Sequence, residues 1–312
     1  MLKVGLVGVG GISGGHISSW DNLENASLTS ICDIRKERLE RYPDKKHYLS
    51  FDEMLEAEQF DIIDICLPTY LHTEFALKCL KKGINVICEK PISLKAEDVD
   101  LIYNTAKENG AKFMVAQVLR FWPEYEFVKQ VYEDKRYGKL LTGKMSRLTS
   151  YPKWSWDNWY TDESRSGLVP YDLHIHDLDF MVYLFGKPTV ENSLKLKSDT
   201  NYYMRNIYNF GDFSVSAEAS WYNVPYPFGA EFLFEFEDAI VSLERGSFKV
   251  YESNGKVIDF RNSSECEGEI SIPKGSAYYN EIEYFANCVI NNTEPDIVKP
   301  EELKTVINIL NK

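Results

Sequence analysis

A chain of 312 residues with 44% hydrophobic and 27% charged residues has the size and balance of a two-domain globular protein, each domain able to bury its own core. Its formal charge of −13 speaks against nucleic acid or an anionic membrane surface as a main partner, because both demand clustered Lys and Arg. The six cysteines (Cys32, Cys66, Cys79, Cys88, Cys266 and Cys288) show no CxxC spacing and read as small core residues in a reducing compartment. No uncharged run approaches the roughly 18 apolar residues of a membrane span, and the apolar start is broken by glycines where a signal peptide needs a hydrophobic helix. The expectation is a cytoplasmic protein.

From Lys3 to Val118 short apolar runs alternate with helix-like stretches. Strands are expected over 4–7, 28–32, 62–67, 85–88 and 113–118, while Val99, Ile102, Tyr103 and Ala106 recur at helical spacing within 96–108. Continuously apolar strands alternating with helices indicate a parallel, doubly wound sheet covered on both faces. The first strand runs into Gly8-Val9-Gly10-Gly11-Ile12, where glycines permit a sharp turn and leave no Cβ to block a phosphate facing helix N-terminal amides. Ser13 replaces the third glycine of the GxGxxG pattern and is small enough to keep helix and strand close. A glycine-rich turn of any α/β protein is the competing reading.

Residues downstream of the turn raise the nucleotide reading above it. Asp33 closes the second strand, 23 positions after Gly10 (33 − 10), where an acid accepts the ribose hydroxyls and repels a 2′-phosphate. This favours NAD over NADP, although Arg38, with Arg35 and Lys36, offers a compensating cation, and a helix N-cap is the plain alternative for Asp33. Pro68, Thr69 and His72 follow the third strand, at the end of the sheet where such ligands bind; a helix start with a surface histidine would look the same. The fourth strand enters Glu89-Lys90-Pro91. Pro91 restricts Lys90 to an extended conformation, with a cis bond as one option, and partial burial would suit its amine to proton handling or to polarising a hydroxyl. A merely solvated lysine is the alternative.

After Gln117 the pattern changes at Arg120-Phe121-Trp122-Pro123, which places a domain boundary near residue 119: 1–119 binds nucleotide and 120–312 forms a second, α+β domain. A helix over 124–133 precedes strands expected over 140–150, 190–198, 204–210, 213–221, 230–237 and 240–244 in an open, mostly antiparallel sheet. An apolar outer face on that sheet would make an oligomer interface. One helix interrupts the strands, from Pro170 to Gly186, and carries Asp172, His176 and Asp179 at i, i+4 and i+7 on one face. A carboxylate one turn from a histidine orients the imidazole or shares a substrate hydroxyl. Were the segment a strand, His174 and His176 would form an HxH metal pair of a hydrolase; buried polar residues at a domain seam are a third reading. Upstream, Trp154, Trp159 and Tyr160 belong to an aromatic cluster over 151–160 of the kind that stacks on sugar rings or packs a loop. Two C-terminal helices, one over 280–291 and one after Pro300, show no chemistry.

Taken together, the glycine turn with His16, Asp33, Glu89-Lys90-Pro91, Arg120 with Pro123, and Asp172 with His176 and Asp179 resemble the glucose-fructose oxidoreductase, inositol dehydrogenase and MocA family over nearly the whole chain. The resemblance implies an N-terminal Rossmann domain, a C-terminal α+β domain, and a homodimer or homotetramer formed through the C-terminal sheet. It implies an NAD(P)-dependent oxidoreductase acting on a secondary alcohol of a sugar, cyclitol or related polyol. Lys90 would polarise the reacting oxygen, Asp172 would position a hydroxyl, His176 would act as general base or acid, and Glu89 and Gln117 would line the nicotinamide pocket, with Arg120 and the aromatic cluster near the substrate. A nucleotide-sensing regulatory protein of the same fold is the alternative. The chain departs from the family at Ser13 and in ending at Lys312, where relatives often continue.

Overall fold

The computed structural model describes residues 1–260 and 276–312, so Cys266 lies outside the described residues. The chain divides into two compact units. The first comprises Met1–Phe121, Ser164–Ser166 and the described residues of Gly275–Ile307. Along it run β1 (Leu2–Val7), α1 (Ser13–Asp21), β2 (Ala26–Cys32), α2 (Lys36–Leu39), β3 (Lys46–Tyr48), α3 (Phe51–Ala57), β4 (Ile62–Ile65), α4 (Thr69–Leu80), β5 (Asn85–Glu89), α5 (Ala96–Glu108) and β6 (Phe113–Ala116).

The strands pair in the order β3-β2-β1-β4-β5-β6, every pair parallel. The direction of winding therefore reverses between β1 and β4, and at such a switch point the turns after the strands part to leave a crevice. Val4, Leu6, Ile31, Ile62, Ile65, Val86 and Ile87 have essentially no exposed surface, as continuous apolar runs between two helical layers require. β3 has no counterpart in the apolar pattern because it is a three-residue edge strand with an exposed Lys-His start. β4 stops at Ile65, two residues before the expected end, because Cys66 to Pro68 already turn towards α4.

The second unit comprises the described residues of Trp122–Glu163, Gly167–Lys274 and Asn308–Lys312. It begins with α6 (Pro123–Glu133) and β7 (Leu140–Ser150); the short α7 (Glu163–Ser166) leads to a π-helical turn, Pro170–His174, continued by α8 (Ile175–Phe185). Then follow β8 (Thr189–Lys197), β9 (Tyr202–Asn209), β10 (Ser214–Tyr222), β11 (Gly229–Phe236), β12 (Ala239–Glu244), β13 (Ser247–Glu252) and β14 (Val257–Asp259). Beyond the undescribed stretch, α9 (Ala277–Ile290) and α10 (Pro300–Leu310) belong to the first unit up to Ile307, and only the end of α10 to the second. Among the described residues no helix is long and apolar enough to cross a membrane.

The second sheet has the order β14-β13-β12-β11-β7-β10-β9-β8. It is antiparallel except at its centre, where β7 pairs parallel with β10 while pairing antiparallel with β11. Val215, Ala217, Ala219 and Trp221 on β10 and Phe232, Phe234 and Phe236 on β11 form its buried face. Tyr125 and Phe127 from α6 meet that face edge-on, at Phe232 (5.0 Å between ring centroids) and Phe248 (5.3 Å), and Phe180 from α8 meets Tyr125 at 4.9 Å. Such aromatic edges are worth about 0.5–1.5 kcal/mol each beyond their burial. The opposite face alternates Lys144, Ser216, Glu218, Glu231, Glu235 and Lys249 with Ile207, Leu233 and Tyr251, so it is mixed rather than apolar.

Within the first unit, α9 packs against α1, where a Cβ on Gly15 would come within 3.3 Å of the Tyr278 ring. Asn280 donates to the Phe121 carbonyl at 3.2 Å, and Arg120 donates to the Ile297 carbonyl at 2.7 Å. The C-terminal segment thus completes the nucleotide-type unit, which is discontinuous in sequence.

Candidate active site

The β1–α1 turn is built around Gly8. Its φ of +95° suits glycine, and an added Cβ would fall 2.5 Å from the Cys66 carbonyl oxygen, so no side chain fits where this turn crosses the end of β4. Beyond it, Cβ atoms on Gly10 or Gly11 would meet nothing within 4 Å, which leaves the outer surface of the turn bare. Ile12 precedes α1 without a side-chain cap, so amides of the first turn are left for an anion. Ser13 is fully buried and its hydroxyl donates to the Gly10 carbonyl at 3.0 Å, so the serine braces the turn from within.

Asp33 follows β2 and is 7% exposed. One carboxylate oxygen accepts the Val9 amide at 2.8 Å, and the other accepts the Arg35 amide at 2.8 Å. The Arg35 guanidinium lies on the same carboxylate at 3.2–3.3 Å. Arg35 is therefore the cation beside the acid, while Arg38 sits half-exposed on α2. A bare glycine turn, an uncapped helix start and an acid held at the neighbouring strand end form a cradle that fits a dinucleotide.

At the ends of β4 and β5 the side chains brace one another. Pro68 precedes α4, and Thr69 is buried at its start. His72 is buried too, and its two ring nitrogens lie 2.7 Å from the Leu67 and Pro91 carbonyls. Burial draws the pKa of this ring down against the pull of both carbonyls. Both nitrogens face the backbone, and the neutral ring donates to one of the two carbonyls, so His72 packs against the strand-end turns rather than offering a nitrogen to a ligand, contrary to the expectation from sequence. Glu89 ends β5 and accepts the Lys90 amide at 3.0 Å; the Lys90–Pro91 peptide is cis and Lys90 is half-buried. Gln117, past β6, is buried. Arg120 is buried as well, and its guanidinium pairs with Glu302 and the Ile297 carbonyl, which removes it from the expected substrate set.

In the second unit Gly167 and Leu168 both take positive φ before the π-turn, and Gly186, at φ +83°, ends α8. From Leu168 to Val182 every residue is buried except Asp172 and His176. The extra backbone residue of a π-turn, a form recurrent at functional sites, lies between them and modifies the expected i, i+4 geometry. Asp172 accepts the Trp221 indole N–H at 3.1 Å, which fixes its carboxylate. Asp179 is buried, as is Asp177, whose ion pair with Arg147 spans 2.8 Å. His174 points elsewhere: its Nε2 lies 2.6 Å from the Tyr208 hydroxyl, and burial pushes its pKa down to about 3. The segment is helical, so His174 and His176 do not share a face and the premise of an HxH metal pair is absent.

The aromatic cluster lies beside Asp172 through Trp221. Tyr160 stands 6.4 Å and Tyr151 5.7 Å from the Trp221 ring, Trp159 stacks at 4.0 Å on Tyr160, and Trp154 meets Tyr160 at 5.4 Å while remaining 72% exposed. Trp221 was legible in sequence only as a strand residue. Its signal is a buried indole, which needs an acceptor for its N–H.

Comparison with known proteins agrees with this geometry. Residues 2–117 match the model of an oxidoreductase family with an NAD-binding Rossmann fold, and residues 125–254 match the GFO/IDH/MocA C-terminal domain. Glucose-6-phosphate 3-dehydrogenase of Bacillus subtilis is 26% identical over 208 residues, covering 64% of this chain and 59% of that protein. The 2,7-anhydro-N-acetylneuraminate hydratase of Escherichia coli is 29% identical over 189 residues, covering 60% and 50%. The chain thus spans little more than half the length of the curated relatives it matches. A levoglucosan dehydrogenase solved with NADH and levoglucosan shares the fold, with a TM-score of 0.82 at 18% identity over 99% of this chain and 95% of that one. With both units matched by its domain models, the chain belongs to the GFO/IDH/MocA oxidoreductase family.

Proposed function

We propose that the chain is an NAD(P)-dependent oxidoreductase, with NAD favoured, acting between a secondary alcohol and the corresponding ketone of a sugar, cyclitol or related polyol. The observation that carries this reading is the pair Asp172 and His176, alone incompletely buried in a segment of otherwise buried residues, with Asp172 joined through Trp221 to an aromatic cluster suited to a sugar ring. A bound nicotinamide supplies the hydride acceptor or donor. Lys90 binds and polarises the reacting oxygen; Asp172, oriented by the indole N–H, accepts a substrate hydroxyl; His176 takes the hydroxyl proton in oxidation and returns it in reduction. Glu89 and Gln117 line the nicotinamide pocket, and Gly8, Gly10, Gly11, Ile12, Pro68 and Thr69 form the cofactor cradle. The buried Asp33 carboxylate supports NAD, and Arg35 beside it is the residue through which NADP would be tolerated.

The same proposal includes a cytoplasmic location, supported by five described cysteines that are all free and buried, and assembly into a homodimer or homotetramer through the second sheet, which rests on the family resemblance and not on the mixed outer face. Light scattering tests the assembly. The function is tested by a panel of polyols, sugars and sugar phosphates read at the NADH absorbance with each cofactor, beside product analysis, since one relative is named a hydratase. Lys90→Ala and His176→Ala are each expected to lower turnover about 10²–10⁴-fold, with NADH affinity nearly unchanged by fluorescence titration. Cofactor binding with no turnover across the panel would favour the nucleotide-sensing alternative.

A further inference from the structure

His16, on α1, has no exposed surface, yet both edges of its ring face anions. Its Nδ1 lies 2.8 Å from Asp64 on β4, and its Nε2 lies 3.0 Å from Glu89 on β5. Ionised carboxylates only accept hydrogen bonds, so satisfying both requires an N–H on each ring nitrogen, the state found only in imidazolium. Asp64 is arranged as an acceptor: the Trp20 indole donates to it at 2.7 Å and the Cys66 thiol approaches at 3.5 Å. The second oxygen of Glu89 holds the Lys90 amide, and His72 meets the Pro91 carbonyl on the far side of the same turn.

We propose that His16 is a permanently protonated positioning residue, a buried cation that bridges Asp64 and Glu89 and so fixes the Glu89-Lys90 turn from beneath. The consequence for chemistry rests on the proposed role of Lys90. The groups facing the ring are Asp64, Cys66 and Glu89, with the Tyr278 ring 5.8 Å away. Burial opposes the charge, but the Asp64 carboxylate outweighs it and holds the pKa well above the ordinary histidine value. His16, Asp64 and Cys66 also offer ligand atoms within 4.8 Å of one another. A proton suits the geometry better than a metal, because Glu89 takes the other ring nitrogen and the Trp20 N–H points at the same Asp64 oxygen.

The test is nitrogen NMR on the full chain labelled in the histidine rings, with His16→Gln identifying the signals. Both nitrogens of His16 are expected to stay protonated from about pH 6 to 9. A neutral ring at pH 8, or stoichiometric zinc whose removal by chelator alters the His16 signals, overturns the proposal. This measurement needs no substrate, so it can fail or succeed apart from the oxidoreductase reading. Positioning is read on reductively ¹³C-methylated protein, with the Lys90 signal assigned by Lys90→Arg. In His16→Gln that signal is expected to change its titration midpoint while those of Lys78 and Lys129 do not; an unmoved Lys90 signal in a folded variant overturns the positioning role. Should His16→Gln not fold, Glu89→Gln removes one of the two anions and is expected to bring the ring's protonation midpoint down; an unchanged midpoint counts against the bridge.

Discussion

His16 in the first unit and His174 in the second are both completely buried, yet their ring nitrogens face different partners, carboxylates at His16 and a hydroxyl at His174. His16 lies between two carboxylates. His174 faces a Tyr208 hydroxyl that already accepts from the Asn206 amide at 2.8 Å, so the tyrosine's own proton goes to the ring, which must be bare at Nε2. Burial then governs, with Lys195 and Arg147 adding repulsion, and the ring stays neutral down to about pH 3. Burial alone therefore does not decide the charge of an interior histidine: the carboxylate beside His16 overcomes it, whereas the two neutral carbonyls at His72 do not.

The largest effect expected to test this contrast comes from Asp64→Asn, which keeps the side chain's size and removes one anion from His16. Breaking a buried pair in this way costs about 3–5 kcal/mol, read by urea denaturation at pH 7, and a loss below about 1 kcal/mol would place His16 in the same neutral class as His174. The second test is acid. The folded pKa of His174 lies below its unfolded value of about 6.5, so the unfolded chain takes up a proton that the folded ring refuses. Its contribution to stability is present above about pH 6.5 and is lost as pH falls towards about 3. His174→Gln is expected to flatten the decline of Tm between about pH 6.5 and 4. For His16, whose pKa is raised, the sign reverses: its contribution is full below about 6.5 and lost only as pH rises through the folded value. Tyr208→Phe comes next, at about 1–3 kcal/mol by urea denaturation, because it removes the proton donor from a buried acceptor. Trp221→Phe is expected to have the smallest effect on stability, about 1 kcal/mol, by releasing the Asp172 carboxylate; it should raise KM for a polyol more than it lowers kcat.

The parallel sheet was legible because buried strands between helices have no polar face, so each is an unbroken apolar run ending where the chain turns. Lys90, Asp172 and His176 stand out as candidates for the converse reason, as polar residues interrupting such runs. What escaped was pairing. Nothing along the chain distinguishes a histidine whose two nitrogens are taken by carbonyls, as in His72, from one that reaches a ligand, or an arginine closed by Glu302 from one that binds substrate. β8 shows the same limit in a strand: it was read correctly from alternation, yet Val190, Leu194 and Leu196 lie exposed on the sheet edge. The parallel contact of β7 with β10, and the return of α9 to the first unit, depend on contacts between residues far apart in sequence.

That central parallel contact also bears on how the protein is made. β7 is the first strand of its sheet to leave the ribosome, but Thr142 pairs with Ser214 and Leu148 with Gly229, so both of its neighbours are synthesised much later. Until Tyr222 has emerged β7 has two unpaired edges, and one stays open until Phe236 follows; up to the first of these points the segment bearing Asp172 and His176 belongs to a loop not yet closed. Assembly of this half is therefore slow and non-local, and exposed to misassociation during synthesis, whereas β1 and β2 pair with each other within the first 32 residues.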